Sequence, residues 1–502
     1  MDTIKIYEND NVAVALKPLA AGSKVRIDGN DILIQENIPG AHKFALEDIN
    51  AGQSVIKYGN PIGIATQEIE KGQWVHEHNV SSVADADYRK EYTYSYNESL
   101  VIKPGVTNET FMGYERKNGT AGIRNHLALI PTVFCSNGPL QRIAAIAAEK
   151  YGKTDYFDGV LPLTHPYGCS QSGKDLETTG KIIAGIIKNA NFGGVLVVSL
   201  GCEVNNLVHL KKYLGDYDPS RIKFLILQES EDEFAEGLSL CDQIFDEIRT
   251  DRRIPININK LHIALNCGGS DGYSGITANK IVGSLAELLV SKGAWVNMTE
   301  VPEMFGAEHI LLNRAINIQV FNDGVEMIRD YADYFKRYGE NVNDNSTQGN
   351  RAGGLSTIEE KSLGCIQKGG NCAVTEVLKY GERASRNGLI LISGPGSDLP
   401  GITAQIAAGA VLTVFTTGRG TPCGFAGPLF RISSNSALAS KKPGWIDFDA
   451  GRMLRTDCTG DIKKLEEELY NMVLETANGK YKTCNEKNGY YQMGILKDGV
   501  TL

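Results

Sequence analysis

Short apolar runs alternate with loops of small polar residues along most of this chain. LALIPTVF stops at Cys135-Ser136-Asn137-Gly138, and VLVVSL stops at Gly201-Cys202-Glu203-Val204-Asn205-Asn206. LHIAL opens onto Asn266-Cys267-Gly268-Gly269-Ser270-Asp271-Gly272, LILIS onto Gly394-Pro395-Gly396-Ser397-Asp398, and VLTVF onto Thr416-Thr417-Gly418-Arg419-Gly420. Continuous runs this short, rich in Val, Ile and Leu, predict strands buried on both faces of a parallel sheet. Small residues at their carboxyl ends let the backbone approach a ligand closely, where open α/β sheets bind. The pattern predicts an enzyme with a large polar site for a small, hydroxyl-rich molecule.

The first eighty residues follow a different rule. An aliphatic residue, a Gly three later and a Val three after that recur as Leu19/Gly22/Val25, Ile49/Gly52/Val55 and Ile69/Gly72/Val75. Each unit reads as a turn feeding an alternating strand, so residues 1–82 are expected to form a small all-β domain. Residues 83–110 lack an apolar period and read as a linker. Beyond them, helices are expected over 140–150, 176–190, 231–248, 276–293 and 462–477. The basic stretch 251–255 suggests a seam between a second α/β domain (111–252) and a carboxyl-terminal α/β catalytic domain (253–502). The fold class expected is α/β multidomain: a small all-β amino-terminal domain followed by two α/β domains with mostly parallel sheets.

Composition removes several alternatives. A formal net charge of -9 over 502 residues offers no basic stripe for nucleic acid. No apolar stretch reaches roughly 18 residues, so no membrane span is expected. The start lacks a signal-peptide pattern, which points to the cytoplasm and makes the ten cysteines reduced thiols rather than a disulfide framework. None of the glycine-rich loops fits a phosphate-binding pattern, so no nucleotide cofactor is expected.

The candidate chemistry lies in a few segments. His76 and His78, in Val75-His76-Glu77-His78, would share one side of a strand about 6–7 Å apart, a workable pair of ligands for one divalent metal. Two half-exposed polar residues are the plainer reading. His42 in the same domain could complete such a site. His165, between Thr164 and Pro166 on a rigid loop, could carry a proton or bind metal. Cys169, Cys202 and Cys267 occupy similar loop positions after three strands. Either small residues are simply wanted there, or the thiolates hold an iron–sulfur cluster or contact a single iron. Glu300 ends the strand AWVNM and is a candidate for acid–base work, whereas Glu303 suits a helix start. The polar segment 343–354 reads as a lid or binding loop leading into a helix over 355–366, with Glu359, Glu360 and Lys361 near its start. Arg351, Lys361 and Arg419 are cations suited to a substrate carboxylate.

Several longer motifs carry a family resemblance. The segment around His42, VIKYGNPIGIA (55–65), VHEHN (75–79), GYERKNGTAGIRN (113–125), CGGSDGYSGITAN (267–279), GNRAGGLSTIEEKSLG (349–364) and FTTGRGTP (415–422) resemble the altronate and galactarate dehydratase family, headed by a β-clip "SAF" domain. PGSDL (395–399), GRGTPCG (418–424) and WIDFDAG (445–451) look more like the altronate branch. Arg351 stands where relatives often have Lys, and Ala41 where they have Gly. The resemblance implies a hydro-lyase that dehydrates a sugar acid with Fe(2+) or Mn(2+), altronate giving 2-keto-3-deoxygluconate, with galactarate or another aldonate as the alternative. On that basis His76, His78 and His42 are expected on the metal and Arg419, with Arg351, on the carboxylate. His165, Glu300 and Lys361 are expected in catalysis, and Ser270, Asp271, Ser397 and Asp398 on the hydroxyls. The β-clip domain would close over the sheet domains within one chain or across a homodimer.

Overall fold

Three similar turns build the amino-terminal module of the computed structural model, which describes residues 2–84, 91–455 and 462–502. Gly22, Gly52 and Gly72 stand at φ +76°, +83° and +87°, where any side chain is strained. Their N–H groups donate to the carbonyls of Ile34, Ala65 and Ala45 in turn. At Gly72 a methyl group would lie 2.0 Å from the Leu33 carbonyl oxygen, so no larger residue fits. Leu19, Ile49 and Ile69 before these turns, and Val25, Val55 and Val75 after them, are all buried. They hold together short antiparallel sheets, such as Ser54–Lys57 with Asn60–Ala65 and Val80–Ser81. The repeat read from the sequence is thus a repeat of structure.

Residues 85–90 of the expected linker lie outside the described residues. Further on, Tyr94 donates to the Ala315 carbonyl at 2.7 Å, and Ile102 pairs with Cys372 in an isolated parallel bridge. The chain enters the second domain through Thr110–Glu115 and leaves through Ile254–Asn257, and these two strands pair antiparallel. Between them lie four parallel strands in the order Gly159–Pro162, His126–Pro131, Phe192–Ser199, Ile222–Ile226. Every residue of His126–Pro131 and Phe192–Ser199 is buried, because helices cover both faces. That double burial is why their sequences run apolar without alternation.

The carboxyl-terminal domain is a seven-stranded parallel sheet. Its order is Val374–Leu378, Gly388–Ile392, Trp295–Met298, His262–Cys267, Leu412–Thr417, Leu429–Ser433, Phe448–Asp449. Helix Gly173–Ile187 of the second domain packs on helix Asp398–Ala408 of the third, and the Asn189 amide donates to the carbonyls of Ile406 and Ala410. Segment 343–354 is more ordered than an open lid. Thr347 and Asn350 form a capping box that starts the helix Gln348–Ala352.

The amino-terminal module docks on this domain through charge. Helix Ile358–Cys365 is buried along its whole length. Its Glu360 accepts from Lys43 at 2.8 Å and from Lys57 at 2.7 Å, with all three side chains out of contact with water. Burial would raise this carboxyl, but the two ammonium groups outweigh it and hold Glu360 at about 2. The Glu360 contribution is therefore fully present above about 4.5, the ordinary value, and is lost as pH falls toward 2, while burial lowers Lys43 to about 8 and weakens its share above that pH. Glu360→Ala should lower stability by about 3–5 kcal/mol, because it strands two buried ammonium groups. Chemical denaturation at neutral pH checks this, and an unchanged midpoint would refute it.

Candidate active site

The large sheet changes its direction of winding at one place. After His262–Cys267 the chain adds strands on one side, and with Leu412–Thr417 it returns to the other. Crevices outside the carboxyl ends of strands at such a switch are where open α/β sheets bind ligands. Here the two loops are fastened together: the N–H groups of Gly418 and Arg419 donate to the Gly269 carbonyl at 3.1 and 2.8 Å. Gly268 and Gly269 let the chains close up, since a Cβ on Gly268 would lie 2.6 Å from an Asp398 oxygen.

Asp271 spends its oxygens inside this loop, accepting from Ser274, Ser434 and Asn435. Ser270 is buried and its carbonyl accepts from Asn350. Both residues hold the switch-point loops together. Ser397 is exposed beside Asp398, and Arg419 is exposed with no ion pair among the described residues. Arg351 instead pairs with Glu77 at 3.1 Å.

Beneath the crevice sits a dense group of ionisable side chains. Lys361, Cys365 and Lys368 lie at i, i+4 and i+7 along one helix and its 3₁₀ continuation, so they share the face toward the sheet. Opposite them stand Cys267 at the end of the central strand and Glu300 and Glu303 after the next one. Lys368 Nζ lies 2.7 Å from Glu300, 2.8 Å from the Cys267 sulfur and 3.0 Å from the Cys365 sulfur. Lys361 Nζ lies 2.9 Å from Glu303. Glu300 sits in the left-handed region at φ 70°, a strained setting for a residue with a side chain.

These groups set one another's acidities unevenly. The hydrogen bond from Cys267 and the nearby Lys368 make Cys365 the more acidic thiol, while the same hydrogen bond and burial raise Cys267. Burial, together with the charge of Glu303, raises Glu300. Glu303, despite its burial, is held down by Lys361 and Lys368. Two ammonium groups thus stand among these carboxyls and thiols, Lys361 paired with Glu303 and Lys368 with Glu300. Asp398 lies at the edge of this field. Burial, and then repulsion from Glu303, lift it from 3.8 to about 7. Its Oδ1 is 3.5 Å from the Asn266 amide nitrogen, and Asn266 Oδ1 is itself buried without a partner.

The histidines need a correction. The strand ends at Val75, and residues 76–79 form a turn in which the N–H groups of Asn79 and Val80 donate to the His76 carbonyl. The alternation that would put His76 and His78 on one side is therefore absent: His76 is buried and His78 exposed. His42 accepts from the Trp74 indole at Nδ1, 3.2 Å, and directs Nε2 to the Ala352 carbonyl, 3.4 Å, so both its nitrogens are engaged. His165 lies in the second domain. Its Nε2 faces the Pro131 carbonyl at 2.8 Å, its Nδ1 accepts from Tyr167, and burial lowers it to about 4. It is a neutral ring fastening two loops. Cys267 belongs to the buried group above, apart from Cys169 and Cys202 on the second domain's sheet.

Comparison with known proteins agrees along the whole chain. The altronate/galactarate dehydratase SAF domain matches residues 1–83, the second domain of D-galactarate dehydratase/altronate hydrolase matches 113–249, and the D-galactarate/altronate dehydratase C-terminal domain matches 258–501. Altronate dehydratase of Bacillus subtilis is 43% identical over 499 residues, 99% of each chain. Altronate dehydratase of Escherichia coli is 41% identical over 503 residues, 100% of each. The L-threo-forming galactarate dehydratase of Escherichia coli is 33% identical over 507 residues, 97% of this chain and 95% of that one. The chain belongs to the altronate/galactarate dehydratase family. It is a hydro-lyase.

The dehydratase can be asked whether its residues fit an iron(II) or manganese ion. Among the described residues, the group with three or more donor atoms within 4.8 Å of one another is Cys267, Glu300, Glu303 and Cys365. The Lys368 ammonium already fills the cationic position there. His42 has no free nitrogen, and His76 turns Nδ1 to Ser356 Oγ at 3.3 Å. These residues do not fit an added divalent ion as they stand. Cys365 and Lys368 were missed from sequence, although their spacing from Lys361 marks one helical face. Lys368→Met should cost about 3–5 kcal/mol, since it leaves buried anions unpaired. Adding Glu300→Gln should recover part of that loss in the denaturation midpoint, and full additivity of the two changes would refute the pairing.

Proposed function

We propose that this dehydratase converts D-altronate to 2-keto-3-deoxy-D-gluconate at the switch-point crevice. The supporting observation is an Asp398 carboxyl raised to about 7 beside the charged pair Lys361–Glu303. Dehydration beside a carboxylate needs one group to take a weakly acidic C–H proton and another to protonate the departing hydroxyl. Two groups with separated pKa values meet that need. Asp398, half ionised near neutrality, suits the base. Lys361, raised by Glu303 despite its burial, stays protonated and suits the donor to the leaving oxygen. Arg419, exposed and unpaired among the described residues, suits the substrate carboxylate, where its planar fork would hold two oxygens.

Altronate is preferred over galactarate because the altronate dehydratases are 43% and 41% identical to this chain, against 33% for the galactarate enzyme. The purified protein, supplied anaerobically with iron(II) or manganese, should form a keto acid fastest from altronate in a panel of aldonates and aldarates. Faster turnover of galactarate, or no product from any, would overturn the reading. With Asp398 as base, kcat/KM should climb as pH rises through about 7, because the ionised form is the active one. Asp398→Asn should reduce kcat by about 10²–10⁴-fold and abolish that limb. A limb that survives the substitution would assign it to another group.

A further inference from the structure

Among the described residues, some cysteines are buried and others reach the surface. Cys241, Cys267, Cys365, Cys372 and Cys484 are buried, as free cysteines usually are. Cys135 and Cys202 are exposed, and Cys169 and Cys423 are partly so. Cys135, Cys169 and Cys202 stand on neighbouring loops, after His126–Pro131, Gly159–Pro162 and Phe192–Ser199, which are adjacent strands of the second domain's sheet. The geometry points to an iron–sulfur cluster held by Cys135, Cys169 and Cys202 at the carboxyl edge of that sheet.

The loops are fastened into one rim. The Phe134 N–H donates to the Tyr167 carbonyl at 2.9 Å, and the Asn205 N–H donates to the Gly168 carbonyl at 3.1 Å. Gly168, at φ +97°, sits where a Cβ would lie 2.1 Å from the Thr132 carbonyl oxygen. Ser170, next to Cys169, holds the strained φ of 52°. The neutral His165 described above ties the Cys169 loop to the end of the central strand. A rim held this tightly fixes the backbone from which the three side chains project.

The surroundings ask for a ligand. Ser136 Oγ, Asn137 Oδ1 and Asn205 Oδ1, within three residues of the thiols, are buried without a hydrogen-bond partner. Ser136 and Asn205 are both 0% exposed. Buried polar atoms seek a partner, and a group bound beside these thiols would supply one. Three helices, Asn137–Tyr151, Gly173–Ile187 and Leu207–Leu214, begin directly after these loops. The Ser136 and Ser172 side chains do not cap the first two. Free helix N–H groups favour an anion, and a cluster carrying three thiolates is anionic.

The spacing speaks against a single ion. A single metal binds thiolates at about 2.3 Å and so gathers its sulfurs within about 4 Å of one another. Among the described residues these three sulfurs do not form a group within 4.8 Å. A cluster spreads its ligands over several irons and accepts the wider set. Three thiolates leave one iron of a four-iron cluster without a protein ligand, open to an oxygen from a small molecule. Neither the choice of sugar acid nor the role of Asp398 enters this inference.

The test is to isolate the full chain without air, reconstitute it with iron and sulfide, and measure both. Wild type should hold about four irons and as many labile sulfides per chain, with broad visible absorbance. Cys135→Ser, Cys169→Ser and Cys202→Ser should each lose most of both, while Cys423→Ser keeps them. As a check free of substitutions, the three thiols should resist alkylation in the reconstituted wild type and react after the cluster is removed. Wild type without labile sulfide, a triple variant that keeps it, or equal alkylation in both forms would overturn the site. The readout is sulfide and thiol protection, so it can fail while keto-acid formation succeeds, and the reverse.

Discussion

One buried helix holds this molecule together. Ile358–Cys365 carries charge on two faces, yet every residue of it is buried. Glu360 looks to the amino-terminal module and meets Lys43 and Lys57. Lys361 and, across Cys365, Lys368 look to the strand ends and meet Glu303 and Glu300. A charge taken out of water is tolerated only when a partner with good geometry replaces the solvent. Each half of the interface therefore depends on the other being in place. The apolar cores agree, since one cluster runs unbroken from Val12 and Val55 of the module to Ile358 and Leu363 of the helix.

The same constraint prepares the chemistry. Lysines brought in to neutralise carboxylates also set their acidities, and they do so unevenly. Glu303 is held ionised, Glu300 is pushed toward its neutral form, and Asp398 at the rim is left near neutrality. Separation of this kind gives acidic groups of one type different roles at one pH. Glu300 also keeps a strained backbone, which persists only where the surroundings dictate it.

The second domain is joined by apolar packing and by the buried pair of Arg124 with Glu486. Helices Gly173–Ile187 and Asp398–Ala408 share an apolar cluster that spans both sheets. Gly185 permits the approach, since a Cβ there would lie 2.7 Å from the Ala407 carbonyl oxygen. A parallel sheet covered on both faces needs few polar residues inside, which leaves its carboxyl edge as the place where polar groups gather. His165 and Asn205 are spent on holding that edge.

Local signals in the sequence went far. The turn repeat announced the amino-terminal module because glycine at a left-handed turn and an aliphatic residue on each side are requirements of neighbouring atoms. The apolar runs announced the parallel strands because burial on both faces removes alternation. Resemblance over the whole length gave the family. What the sequence could not rank was which polar residues meet. His76 and His78 parted because a turn begins one residue past Val75, and Cys267 found Cys365, Lys361 and Lys368 from about a hundred residues away along the chain. Ion pairing and desolvation act through space, over a few ångströms, between groups that only the closed fold brings together. The strands, turns and family were written in order along the chain; the acidity of each carboxyl and thiol was decided by the tertiary fold.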